Sequence, residues 1–455
     1  MRSHRNLFLI RGTIFLLAFV IYHVSLVFSS EGLQVGLSLA ALLLFLTAII
    51  GTGRFYSGLS IALLFCSIAI VGWRHSSWVE WLMGFSSLIK LIFFIGLIPL
   101  ISFPIGGVIK DLKQLMVILS WKVRTLKLVH YGTFLLSNLI NLAALPVSKI
   151  LFVEKDQEKQ WQAAIGELTG RSFGLAMMLT PIGAAIAVAM ELTGTRWLSL
   201  LPVNLLLAAA GLWLSYSLVK GKVEEAAAME EEGIEKPDYQ RLSLMLVPLI
   251  LYFAFLLTIE TIYHLGIMEI IVISVLPFTL IWSLFLRKGT EWFKHGKIQM
   301  FKEAPKSFGL YGVIISASLF IYSMEITGLD DDLISLLPFG GEKMAFLLYI
   351  PATILIVEML SLTGVHQFIG MLFAAKLIDP VMFGIHETVF ASALLVGFVS
   401  GMQTSTFSGA NILLSTLLPS FSSYEIGRRN YVFALLFIPL STVVLIVINI
   451  VLTLY

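Results

Sequence analysis

The residues of this chain whose types and spacing could do chemistry are crowded into four short stretches. GMQTSTFSGAN, Gly401 to Asn411, sets Gln403, Thr404, Ser405, Thr406, Ser408 and Asn411 around two glycines. TPIG, Thr180 to Gly183, joins a hydroxyl to a proline and a glycine. LLSNLIN holds Ser137, Asn138 and Asn141, and EMLSLTGVHQ holds Glu358, Ser361, Thr363, Gly364, His366 and Gln367. None is a phosphate loop, a metal-ligand cluster or a nucleic-acid feature, which argues against ATP drive and against any cofactor. The stretches combine hydroxyls and amides with helix breakers. That combination frees backbone groups to hold a cation or the polar end of a small solute. The plainer role for each hydroxyl is a bond back to its own helix carbonyl, with small residues letting helices pack closely. Six polar side chains within eleven residues, weakly echoed at Thr180–Gly183, favour a site.

Elements that position these stretches must cross a membrane. The chain is 58% hydrophobic and 13% charged, with apolar runs along its whole length, which defines an all-α polytopic membrane protein. Cys66 is the single cysteine and excludes an internal disulfide framework. Arg2, His4, Arg5 and Arg11 precede a long apolar stretch without a small-residue cleavage pattern, so a first span with a cytoplasmic N-terminus is expected rather than a signal peptide. Eleven spans are predicted, within 12–29, 33–52, 55–73, 82–108, 165–194, 197–219, 242–264, 266–287, 307–328, 387–418 and 429–453.

Two further apolar segments, 130–152 and 350–378, have polar, turn-prone centres and read as re-entrant hairpins. Charge supports that reading. With two hairpins, Arg54, Lys110, Lys113, Lys122, Arg124, Lys127, Lys155, Lys159, Lys220, Lys222, Arg287, Lys288, Lys294, Lys297, Arg428 and Arg429 fall inside, leaving Arg74, Arg196, Lys343 and Lys376 outside. The stretch 110–128 alternates basic and apolar positions as a surface helix would. Tryptophans, Trp197 among them, are expected in the aromatic belt. Arg171 is expected as an interfacial anchor or a counter-ion to an anionic substrate, and Glu260 as a residue snorkelling from a span end.

The acidic linker 220–241 divides the chain into halves that look alike. A shift of 226 residues lays Thr180–Ile186, TPIGAAI, over Thr406–Ile412, TFSGANI. The expected organisation is an extra span in 1–30; a first repeat, 31–219, with hairpin 130–152 and broken helix 165–194; the linker; and a second repeat, 242–455, with hairpin 350–378 and broken helix 387–418. An odd number of spans separates the repeats, so they are expected to be inverted, each contributing a hairpin and a broken helix that meet near the midplane. The unwound centres are expected at Gln403–Asn411 and Thr180–Gly183.

Ser137-Asn138 in a hairpin paired with Thr180-Pro181-Ile182-Gly183 in a broken helix resembles the ion transporter superfamily. Eleven spans with two hairpins resemble most its divalent anion/sodium symporter family. There each hairpin tip carries Ser-Asn-Thr; here the tips are Ser137-Asn138-Leu139 and Ser361-Leu362-Thr363, which align at a shift of 224. The family's later Pro-Pro-Asn-like signature is replaced by Gly409-Ala410-Asn411. The resemblance implies an elevator transporter and a homodimer. It implies substrate and ion binding by Ser137, Asn138, Asn141, Thr180, Gly183, Ser361, Thr363, Gly364, His366, Gln367, Thr404, Ser405, Thr406 and Asn411, with Na+ at Ser137, Asn138, Thr363 or Thr406.

The expected function is secondary active transport of a small, carboxylate-like anion across the plasma membrane, driven by Na+ or H+, with the lipid bilayer as the other partner. The alternatives are a cation/proton antiporter, for which Glu358 is the acid near the site, or a metalloid or inorganic anion exporter. A polyprenyl-linked glycan ligase or polymerase would need a large outer catalytic loop, and the outer loops are short.

Overall fold

The computed structural model describes residues 2–120, 125–152, 158–221, 236–338 and 344–454. Lys122, Arg124, Lys155, Lys222, Lys343 and most of the predicted linker lie outside the described residues. In chain order the helices are α1 (Arg2–Val27), α2 (Glu31–Ile49), α3 (Arg54–Arg74), α4 (Trp78–Met83), α5 (Ile89–Leu97), α6 (Ile109–Ser120), α7 (Thr125–Ile140), α8 (Ala144–Phe152), α9 (Lys159–Ala176), α10 (Ala184–Thr193), α11 (Trp197–Val219), α12 (Tyr239–Tyr263), α13 (Ile267–Phe285), α14 (Gly289–Ile298), α15 (Phe308–Thr327), α16 (Leu329–Ser335), α17 (Phe346–Leu362), α18 (Gln367–Leu377), α19 (Glu387–Thr404), α20 (Gly409–Leu417), α21 (Ser423–Arg429) and α22 (Tyr431–Leu454). No strand occurs among the described residues.

The chain is an all-α multi-pass membrane protein. Among the described residues, eleven helical segments are long and apolar enough to cross a bilayer. Ten match predicted spans. The eleventh, Thr125–Ile150, contains the first predicted hairpin, and the predicted span 165–194 is absent from that set because it falls into two shorter helices, α9 and α10.

The chain splits into two compact units, each drawing on both halves. One takes Met1–Phe103 with Met268–Pro338, the other Pro104–Ile267 with Phe339–Tyr455. In the first, α15 packs on α2 and α3. Phe15, Phe93 and Tyr311 form its aromatic centre, with Phe15 edge-on to Phe93 at 5.4 Å. Arg11, predicted as a flanking charge, is buried there. It donates to Thr47 O at 2.9 Å and Ile50 O at 2.6 Å, filling carbonyls left open at the end of α2.

The second unit contains both hairpins and both broken helices. The α7–α8 pair packs on α9, and the α17–α18 pair packs on α19. Each hairpin's second arm also touches the far half of the other broken helix, α8 against α20 and α18 against α10. The most apolar window of Glu387–Leu417 is 100% buried, against 22% for that of Tyr431–Leu454. Lipid therefore meets the outer spans of this unit and is kept from its irregular backbone, as an apolar solvent demands.

Candidate functional site

Both hairpins turn back where their polar centres predict. Thr133 Oγ1 lies 2.9 Å from Ser148 Oγ, whereas fifteen residues of straight helix would part them by roughly 22 Å. The turn falls at Asn141, which adopts φ 51°, a left-handed conformation that asparagine tolerates. In the second hairpin Gly364 turns at φ 97°, a conformation that suits glycine alone. A Cβ on Gly370 would come within 3.2 Å of Val357 Cα, so the two arms lie backbone to backbone.

The first tip is sewn to the first break. Thr180 Oγ1 donates to Asn138 O at 2.8 Å, and Asn141 Nδ2 donates to Ile182 O at 3.3 Å. The break runs from 177 to 183, and three of its carbonyls take partners in turn: Met178 O takes Asn204 Nδ2 at 3.0 Å, Leu179 O takes Trp197 Nε1 at 2.8 Å, and Thr180 O takes Gly183 N–H at 2.9 Å. Trp197 thus serves the break, a role its predicted place in the aromatic belt does not include. Gly183 begins α10 with no side-chain cap.

The second break is shorter. Helix α19 continues to Thr404 and α20 begins at Gly409, so the predicted unwound stretch Gln403–Asn411 shrinks to 405–408. Gln403, Thr404 and Asn411 lie on regular helix. The contraction has a local cause: Ser408 Oγ caps α20 by accepting Asn411 N–H at 3.1 Å, while Asn411 Nδ2 reaches back to Gln403 O at 2.8 Å and Ser405 O at 2.9 Å. One asparagine spans both helix ends.

Hairpin two approaches α19 over glycines. A Cβ on Gly397 would overlap Ile354 O and Val357, and one on Gly401 would overlap the Ser361 hydroxyl. Gln367 Nε2 donates to Gly401 O at 3.4 Å. In this seam lies Glu358, which is buried. Its Oε1 is 2.7 Å from Thr404 Oγ1, and its Oε2 has no hydrogen-bond partner among the described residues.

A second buried network was missed by sequence reasoning as a network. Arg171 is only 1% exposed; its Nε donates to Asn430 Oδ1 at 2.8 Å and its Nη2 to Glu167 Oε2 at 3.1 Å and Arg429 O at 3.0 Å. The guanidinium also faces the Phe433 ring. Arg429 Nη1 shares Glu167 through its other oxygen at 3.1 Å. Gln403 Nε2 donates to Arg171 O at 3.4 Å and fits against Gly174, where a Cβ would overlap its amide, so the two broken helices cross beside their breaks. Arg171 is therefore no interfacial anchor. The available signal was Glu167 and Arg171 four apart on one apolar helix; nothing in the sequence places Asn430 beside them. Glu260, expected to snorkel, is buried and accepts Trp197 N–H at 3.2 Å at the start of α11.

The structure thus gathers the predicted residues into two clusters: Asn138, Asn141, Thr180 and Gly183 at the first tip and break, and Ser361, Gln367, Thr404, Ser405 and Asn411 at the second. Several spend their polar groups locally. Ser137 donates to Thr133 O at 2.7 Å, Asn138 Nδ2 to Phe134 O at 2.9 Å, Ser361 to Val357 O at 2.7 Å and Thr363 to Leu360 O at 2.8 Å. Thr363 is exposed and Thr406 half-buried. His366 caps α18, its Nδ1 accepting Phe368 N–H at 3.3 Å.

No protein-family model matches this chain, and no curated protein matches it significantly. Among solved structures, the fold is similar to the YdaH transporter of Alcanivorax borkumensis, at 12% identity over 86% of this chain and 96% of that one, with a TM-score of 0.54. A second solved structure, MtrF of Neisseria gonorrhoeae, described with a class of antimetabolite efflux pumps, covers 80% of this chain and 81% of its own at 14% identity and a TM-score of 0.49. At such identity the YdaH likeness shows a shared fold.

Proposed function

We propose that the protein is a secondary active transporter, of elevator type, that moves a small carboxylate-like anion across the plasma membrane together with Na+ or H+. The observation that carries this reading is the hairpin packed on a broken helix, present twice within one compact unit. Irregular backbone at membrane depth is costly and persists where it serves binding. The two sets read as an inverted repeat, with the site formed from their tips and breaks and the N-terminus on the cytoplasmic side. The uncapped start of α10 at Gly183 supports an anionic solute, since a helix N-terminus presents N–H groups and a partial positive charge. A neighbour of this fold is a transporter. The second reading, a cation/proton antiporter or inorganic anion exporter, is favoured by the buried acid Glu358.

The test is uptake by proteoliposomes of a panel of dicarboxylates, tricarboxylates and inorganic oxyanions under separately imposed Na+ and proton gradients. Accumulation of one carboxylate above that in protein-free vesicles is expected. Accumulation of inorganic oxyanions alone would favour the inorganic anion exporter of the second reading, and absence of flux for every solute in both gradients would overturn the anion reading in favour of cation/proton antiport.

A further inference from the structure

We infer that Glu358 is the group that takes up and releases the coupling proton, and that in the arrangement seen here it carries that proton as a neutral acid donating to Thr404. The inference rests on the transporter reading, though on neither choice of substrate.

The argument is a count of hydrogens. Thr404 Oγ1 lies 2.7 Å from Glu358 Oε1 and 2.9 Å from Ser400 O. A threonine hydroxyl has one hydrogen, and both a carbonyl and an ionised carboxylate can only accept. That single hydrogen can be shared between the two oxygens in a three-centre bond, or each contact can have a hydrogen of its own, with Glu358 O–H donating to Thr404 Oγ1 and Thr404 O–H to Ser400 O. An ionised Glu358 would face one neutral donor at most, with Oε2 buried and unpartnered. Burial without a cation strongly disfavours that state.

The surroundings supply no counter-charge. The elements packed on α17 are α18, α19 and α22. Their titratable groups are His366 at the turn, Lys376 near the far end of α18, Glu387 at the opposite end of α19 and Tyr431 at the start of α22; α21, which meets Thr404 O at Gly427, adds Tyr424, Glu425, Arg428 over the Tyr424 ring and Arg429 paired with Glu167. Among the described residues none of them bonds to Glu358. Thr404 O meets Gly427, and the buried cation Arg171 is held by Glu167.

Position completes the case. Glu358 lies one turn before the second hairpin's tip, and Thr404 is the last residue of α19 before its break. Any motion that parts hairpin two from α19 opens this seam to water, where the carboxyl ionises, and the released proton passes to that side. Rejoining the seam requires the carboxylate to take a proton back. When the proton is taken back from the opposite side, each cycle moves one proton per Glu358 across the membrane, with one O–H bond broken and one formed.

The experiment is the proteoliposome assay above with an internal pH dye, comparing wild type, Glu358→Gln and Thr404→Val. Wild type is expected to move protons with substrate. Glu358→Gln, which keeps a donor to Thr404 but cannot ionise, is expected to lose accumulation driven by a pH gradient and to retain only slower, pH-independent exchange. Thr404→Val removes the acceptor of the acid's hydrogen, so the pH midpoint of transport should fall by about one unit. Accumulation by Glu358→Gln that still follows the pH gradient, or an upward midpoint shift in Thr404→Val, would overturn the inference while leaving transport standing. A wild type silent in every gradient would overturn the transporter reading itself and the inference with it. Thr404→Val keeps the test decisive if Glu358→Gln fails to fold.

Discussion

The two hairpin and broken-helix pairs share a backbone plan and differ in chemistry. In the first, the ties at the tip and the break are neutral: Thr180 to Asn138, Asn141 to Ile182, and Trp197 and Asn204 to the carbonyls of the break. In the second, Asn411 reaches both ends of a shorter break, joined by Asn430 at Gln403 O and by Ser408 N–H at Ser405 O, and a carboxyl stands in the seam. The shift that aligns the hairpin tips sets Phe134 opposite Glu358. The same backbone plan thus stands in two places, and at the second a buried carboxyl lies between hairpin and broken helix.

The comparison breaks most severely if the crossing of the two sets is lost. Arg171→Ala removes the cation from a buried cluster and leaves Glu167 to Arg429 alone, at an expected cost of about 3–5 kcal/mol. Thermal unfolding in detergent should fall sharply or the protein should fail to accumulate, and near wild-type stability would show that the crossing at Gly174 and Gln403 does not hold the sets together. Gly401→Ala is expected next, because its Cβ overlaps the Ser361 hydroxyl in the second seam, with a cost of roughly 1–3 kcal/mol in the same measurement. Stability unchanged in that variant would mean the seam is looser than its glycines imply.

The asparagines sharpen the contrast. Asn411→Ala removes one donor from each of two buried carbonyls, leaving Gln403 O to Asn430 and Ser405 O to Ser408 N–H, and should lose about 1–3 kcal/mol, lowering apparent affinity for substrate or coupling ion roughly 5- to 150-fold if the break is the site. Asn138→Ala should lose less, since the amide it removes bonds only its own helix at Phe134 O. Equal losses, read by transport below half-saturation at matched expression, would erase the distinction drawn between the two breaks. Smallest of all, Ser283→Ala deletes a hydroxyl bonded to Thr279 O in the other compact unit, and is expected within about 0.5 kcal/mol and near silent in transport.

Much of this was legible from residue order. The polar centres of the hairpins fall at the observed turns because Asn141 and Gly364 adopt left-handed backbone that their apolar neighbours resist. Gly183 marks the first break for a different reason: its backbone is extended, but a Cβ there would come within 2.7 Å of the Thr180 methyl, and Pro181 nearby lacks an N–H to continue the helix. The extent of the second break was overread. Thr404 and Asn411 are individually weak helix formers, yet burial and the bonds joining Thr404 to Glu358 and Asn411 to Gln403 and Ser405 hold them helical.

What the sequence determined by itself is the class and the punctuation: apolar runs of membrane length fix the helices, and charge and glycine placement fix where the chain turns or breaks. Tertiary structure alone decided which of the polar residues face one another. Arg171 meets Asn430 across 259 positions, and Thr404 meets Glu358 across 46. Local pattern carries no term for such pairs. They are selected when helices from both halves close on each other and every buried donor and acceptor must find a partner without water.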